Sequence, residues 1–101
     1  MKHETEFRVS DIPPGSSLLV GDALVFNVAG QFFATHSRCP HRQASLSEAR
    51  LEGSTVICPL HAAKFNVTTG AVLRGPARDP LVTYRVAVEG EVGRVETWAP
   101  V

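Results

Sequence analysis

Apolar and polar residues alternate in short stretches along this chain, with the period of strands rather than of helices. Leu24, Phe26 and Val28 interleave with Val25, Asn27 and Ala29; Gly30-Gln31 follows, and Phe32-Phe33 resumes the apolar pattern. A period of two sends successive side chains to opposite faces, so this stretch predicts a hairpin turning near Ala29-Gly30. Val56-Ile57 leads into Cys58, and Lys64-Phe65-Asn66-Val67 runs to a turn at Thr69-Gly70. Val82, Tyr84, Val86 and Val88 fall on one strand face with Thr83 and Arg85 opposite. Glu89-Gly90 then turns the chain toward a last strand over residues 95–98. Pro13-Pro14-Gly15 and Gly75-Pro76 mark loops, and residues 46–50 form the one short stretch read as helix. Strands bounded by turns at this spacing predict an all-β fold, an antiparallel sandwich or barrel.

Composition narrows the class without changing the fold. At 101 residues, with no internal repeat or linker, the chain makes a single domain, 1–101, with a modest core. A bound cofactor would then supply a useful share of the stability. Ten Lys/Arg balance ten Asp/Glu, so there is no basic surface for tracking phosphates and no nucleic-acid partner is expected. No stretch approaches the roughly 20 apolar residues that cross a bilayer. Residues 1–6 are polar and lead into no apolar signal segment. The expectation is a cytoplasmic protein without membrane contact, and a monomer, because no long apolar stripe is left over. His3 is expected to be disordered.

The chemistry lies in two blocks, Cys39-Pro40-His41 and Cys58-Pro59-Leu60-His61, with sixteen residues between His41 and Cys58. In a reducing compartment a lone cysteine pair is more often ligand or catalytic than disulfide. A proline beside each cysteine suits tight loops, so two loop tips can converge on one metal site. The residues up to Ile57 are long enough to leave, form a hairpin or short helix, and return. Three readings compete. The blocks could be buried cysteines and ordinary histidines, yet together they hold both cysteines and half of the four histidines. They could form a structural Cys2His2 zinc site, but zinc knuckles group like ligands at C-x2–4-C and H-x3–5-H spacing, and these blocks mix them. They could hold a binuclear iron cluster, with two cysteines on one iron and two histidines on the other. Each mixed block then gives one ligand to each iron. Such a cluster is neutral when oxidised and carries one negative charge when reduced, so it accepts an electron more readily than an all-cysteine cluster.

The pattern C-x-H-x16-C-x-x-H resembles the signature of the Rieske family. Leu46-Ser47, Leu51-Glu52-Gly53, Pro59, Phe65, Thr69-Gly70 and the strand and turn from Tyr84 to Gly90 agree with it. The resemblance covers residues 21–98; one departure is Ala49, where many relatives have glycine. It implies a Rieske-type antiparallel β-sandwich or barrel with a two-loop cluster-binding subdomain, about residues 36–80, holding one [2Fe–2S] cluster. Cys39 and Cys58 would bind the inner iron, His41 and His61 the outer one.

Departures from the high-potential branch of the family place this chain elsewhere. Ala44 and Leu60 stand where that branch has a second, bridging cysteine pair, and Ala63 and Phe65 where it has a serine and a tyrosine hydroxyl aimed at sulfur. Without those hydrogen bonds the reduced state is less stabilised, so the potential is expected toward the low end of the range, about −150 mV rather than +300 mV. The profile is similar to the ferredoxin component of bacterial ring-hydroxylating oxygenase systems. That implies a one-electron carrier, not an enzyme itself, between an NAD(P)H-dependent flavoprotein ferredoxin reductase and a terminal oxygenase. Oxygen activation generally needs a 2-His-1-carboxylate iron, and outside the two blocks only His3 and His36 remain, in different segments. Two alternatives are the small Rieske subunit of an assimilatory nitrite reductase and a cluster-based redox sensor. Pro40, Leu60 and Gly75-Pro76-Ala77 are expected to form an apolar collar. Arg42, Gln43 and Lys64 are read first as solvated positions and second as the rim of a docking patch. His36 is expected in a solvated loop.

Overall fold

The hairpin expected at Ala29-Gly30 is present, and its first strand is the centre of the molecule. In the computed structural model, which describes residues 2–37, 50–58, 63–74 and 80–98, β3 (Ala23–Val28) is buried at five successive positions from Ala23 to Asn27. β4 (Gln31–His36) returns along it, and Ala29 and Gly30 turn at φ 51° and 94°. Both values are positive, as a type I′ hairpin turn requires. The buried Asn27 ties this turn down, because its Oδ1 accepts from Gly30 N–H at 2.8 Å and its Nδ2 donates to the Ile12 carbonyl at 2.7 Å.

The remaining strands are β1 (Lys2–Arg8), β2 (Ser17–Val20), β5 (Arg50–Glu52), β6 (Thr55–Ile57), β7 (Lys64–Asn66), β8 (Val72–Arg74), β9 (Thr83–Glu89) and β10 (Val92–Trp98), with a 3-10 turn at Val9–Asp11. They form a six-stranded sheet in the order β1-β10-β9-β4-β3-β2 and a four-stranded sheet β5-β6-β7-β8. Every pairing between them is antiparallel. The large sheet curls so that its ends approach: a Cβ on Gly21, in the β2–β3 turn, would lie 3.3 Å from Thr5 Oγ1 of β1. This is the expected all-β, barrel-like fold, with the small sheet inserted between β4 and β9. Among the described residues, no helix is long and apolar enough to cross a membrane.

β3 reads as continuously apolar because it serves two cores. Ala23 and Val25 face the inside of the large sheet with Phe7, Ile12, Val20, Ala34 and Val95. Leu24 and Phe26 point the other way, onto Val56, Phe65 and Val67 of the small sheet and its turn. A strand covered on both faces loses the apolar/polar alternation of a half-exposed one.

Several expectations need correction. His3 lies in β1, opposite Thr97, because residues 2–8 find an unpaired edge on β10. That edge also needs Gly93, where a Cβ would collide with the Phe7 ring. His36 ends β4 opposite Ala23 and is half-buried rather than in a solvated loop; its N–H donates to the Val82 carbonyl at 2.8 Å. Arg50, placed in a helix, begins β5 because it pairs with Ile57; residues 46–49 lie outside the described residues. Of the four apolar positions around β9, Tyr84 and Val86 pack on the core, whereas Val82 and Val88 are 56% and 46% exposed. Val82 precedes the strand and Val88 adjoins the β9–β10 turn, beyond the covered part of the face. β10 starts at Val92, earlier than the alternation suggested.

Candidate metal centre

The register of the small sheet brings three connections to one end. Arg50 pairs with Ile57, Ile57 with Lys64 and Lys64 with Arg74, so these four residues form a row across β5 to β8. Residues 38–49 enter the sheet at Arg50, residues 59–62 join β6 to β7, and residues 75–79 leave after Arg74. The connections that carry the two Cys/His blocks therefore both meet the small sheet at this edge. At the centre of that edge the Cys58 N–H donates to the Ala63 carbonyl at 2.7 Å, extending the β6–β7 hairpin one step past Ile57. Residues 59–62, which include His61, are thus bracketed by bonded stems.

A second tie holds the far end of the small sheet, its β7–β8 turn, to the segment that leads into β9. The Leu81 N–H donates to the Gly70 carbonyl at 2.8 Å, and Gly70, at φ 82°, has no room for a Cβ against the Leu81 carbonyl. Glycine is required there because the two backbones meet at van der Waals distance. Leu81 in turn packs in the same cluster as Cys58.

Cys58 is 2% exposed and sits among Leu24, Phe26, Val56, Ala63, Phe65, Val67 and Leu81. Sequence reasoning had not identified Leu24, Phe26 or Leu81 as walls of this site; the unbroken apolar run of β3 was the available signal. A thiolate at an apolar core is stable only when a cation neutralises it. A soft sulfur donor at the root of a braced loop therefore suits an iron–sulfur group. Ala63 and Phe65, fully buried in the same cluster, bring no hydroxyl to it. Cys39, His41 and His61 lie outside the described residues, as do Pro40, Arg42, Gln43, Ala44, Leu60, Gly75, Pro76 and Ala77. Lys64 is half-buried on the sheet face turned away from Phe65.

Comparison with known proteins agrees with this setting. The family model described as Rieske [2Fe-2S] domain matches residues 3–85. The chain is 51% identical over 86 residues to the 3-phenylpropionate/cinnamic acid dioxygenase ferredoxin subunit of Escherichia coli (strain K12), which covers 81% of each protein. A ferredoxin of Sphingomonas yanoikuyae B1 superposes with a TM-score of 0.85 at 28% identity, over 92% of this chain and 96% of that one. A chain from the complex of reduced oxygenase and oxidised ferredoxin in carbazole 1,9a-dioxygenase does so with a TM-score of 0.82 at 35% identity, over 93% and 91%. With a buried cysteine at the root of a braced loop, a two-sheet antiparallel fold and a match across most of its length, this chain belongs to the Rieske [2Fe–2S] family and has one [2Fe–2S] cluster as its cofactor.

Proposed function

We propose that Cys39 and Cys58 bind one iron of the cluster and His41 and His61 the other, and that the protein carries single electrons from an NAD(P)H-dependent flavoprotein reductase to a terminal oxygenase. The observation that carries the reading is the 51% identity to a dioxygenase ferredoxin subunit. The family's mixed-ligand cluster supplies one-electron chemistry near neutral net charge. The chain's own residues do the rest. Leu24, Phe26, Phe65 and Leu81 exclude water on the Cys58 side. The Cys58–Ala63 hydrogen bond keeps the root of the 59–62 loop in place and the Gly70–Leu81 tie anchors the far end of the small sheet, so little rearrangement accompanies a change of charge. Ala63 and Phe65, lacking hydroxyls, leave the reduced state less stabilised, which supports a low potential. The protein acts as a cytoplasmic monomer, one domain over 1–101 with the cluster-binding part at about 36–80.

The test is reconstitution. The purified holoprotein is mixed with NADH and the reductase and oxygenase components of the E. coli 3-phenylpropionate dioxygenase system, and cluster reduction and substrate oxidation are followed. Turnover that depends on added holoprotein is expected. Firm co-purification with a large sirohaem subunit, without reduction by a flavoprotein, would overturn the shuttle in favour of a fixed nitrite reductase subunit.

A further inference from the structure

Charge is divided between the two parts of this neutral chain. Residues 37–80 contain six Lys/Arg and three Asp/Glu, whereas the remaining residues contain four and seven. The part that carries the ligand blocks is therefore basic and the large-sheet part acidic, although the totals cancel.

Within the basic part, the small sheet lines its cations up. Arg50, Ile57, Lys64 and Arg74 are successive cross-strand partners, and partners share a face. Their face is the outer one, because Leu51, Val56, Phe65 and Val72, the adjoining positions, pack on the core. The row spans three strand spacings, about 15 Å, along the edge where the ligand-bearing connections attach. Arg74 joins it only through an irregularity. Val72 faces the core, so simple alternation would turn residue 74 inward as well. The register instead slips by one residue between Lys64 and Phe65, leaving Leu73 unpaired and Arg74 opposite Lys64. Bulges re-aim side chains in this way. Leu73 is 54% exposed and Ile57 half-buried, so apolar surface lies between the cations. Among the described residues, the nearest counter-charge is Glu52, whose Oε1 is 3.1 Å from Arg50 in a pair that is 73% and 55% exposed. Such a pair is worth little and exchanges readily for another carboxylate.

We infer that Arg50, Lys64 and Arg74, with Ile57 and Leu73 between them, form the docking edge for an electron-transfer partner whose redox centre is rimmed by carboxylates. The inference rests on the shuttle reading and adds the chemistry of its interface. The acidic large sheet turns away from such a partner while the basic edge turns toward it. Because the net charge is zero, the orienting force comes from this separation rather than from overall attraction. An apolar centre with a charged rim is the usual anatomy of a protein interface, and complementary charge acts mainly on the rate of encounter.

The test uses reduced holoprotein, wild type and the Arg50→Glu/Arg74→Glu variant, in stopped-flow oxidation by ferricyanide, by tris(phenanthroline)cobalt(III), and by the oxidised oxygenase of the E. coli 3-phenylpropionate dioxygenase. Both arginines are exposed, and iron content and visible spectrum verify that the variant is loaded. At low salt, steering of this kind predicts about a tenfold slower reaction of the variant with ferricyanide and with the oxygenase, and a faster one with the cationic cobalt complex. The differences fade as salt shortens the screening length. A mere change in cluster potential would move both small oxidants in the same direction and would overturn the inference. So would an oxygenase rate indifferent to salt and to both substitutions, even if the small ions responded. A wild-type protein that passes no electron to the oxygenase would overturn the shuttle reading itself, and the docking edge with it.

Discussion

The large sheet has strands of four to seven residues and encloses Phe7, Ile12, Val20, Ala23, Val25, Ala34 and Val95. The small sheet has four strands of three residues each, and its cluster of buried residues includes Cys58. Long paired strands around an apolar interior can stand on burial and backbone hydrogen bonds alone. Three-residue strands cannot, since short hairpins are marginal without packing or another support. The small sheet leans on Leu24 and Phe26 of β3 on one side and, on the proposed reading, on the metal held by the loops at its edge. The difference teaches where stability and function meet: β3 belongs to both cores, and the redox end, with the shorter strands, is the part that the proposed cluster would help to hold.

The sharpest way to break this comparison is to remove the one proposed ligand whose surroundings are described. Cys58→Ser is expected to yield protein with almost no iron or sulfide. Its amide exchange should be fast across β6 and β7, while β3 and β10 remain protected. Equal loss of protection in both sheets would show that they are one cooperative unit. Phe26→Ala comes next: Phe26 is fully buried against the small sheet, and the lost packing should cost about 3–5 kcal/mol in denaturant titration of the holoprotein. Phe65→Tyr sharpens the electronic side. A hydroxyl donated to sulfur, worth about 1 kcal/mol, should raise the potential by roughly 40 mV, taking 59 mV per tenfold for one electron. Redox titration checks the sign.

The smallest expected effect lies far from the metal end. Glu91 Oε1 accepts from the Ser10 N–H at 2.6 Å, and the Val9 N–H donates to the Glu91 carbonyl at 2.9 Å, joining the 3-10 turn to the β9–β10 turn. Hydrogen bonding by the Ser10 side chain and then its amide, aided by Arg8, holds the Glu91 carboxyl below the usual carboxylate range. A depressed folded value means that the stabilisation is present above the unfolded pKa and is lost as pH falls through the folded one. Glu91→Gln should therefore lower Tm slightly at neutral pH and remove a small part of the acid sensitivity, leaving the visible spectrum unchanged.

Much of this was legible in the chain, for identifiable reasons. The β3–β4 hairpin, β6 leading to Cys58 and the turn at Gly70 announced themselves through local alternation and turn residues. β1, β2, β5 and β8 did not. β1 pairs with the distant β10, while β2, β5 and β8 pair with sequence neighbours but span only three or four residues, and their outward positions are polar or, as at Leu19 and Leu73, exposed apolar residues that mimic no clear face. Register is a property of two segments, so the row from Arg50 to Arg74 and the bulge that turns Arg74 outward had no local signal. At the metal end, donor type and spacing suggested a ligand set, of which Cys58 alone lies among the described residues, but not the walls around Cys58, which come from β3 and from Leu81.

Electron–nuclear double resonance on the reduced, iron-replete protein tests the central claim most directly. The account predicts one coupled iron pair with two imidazole nitrogen couplings, one of which disappears in any residual cluster of His61→Ala. A reduced centre with thiolate couplings alone, or a colourless protein containing one zinc per chain, would contradict it.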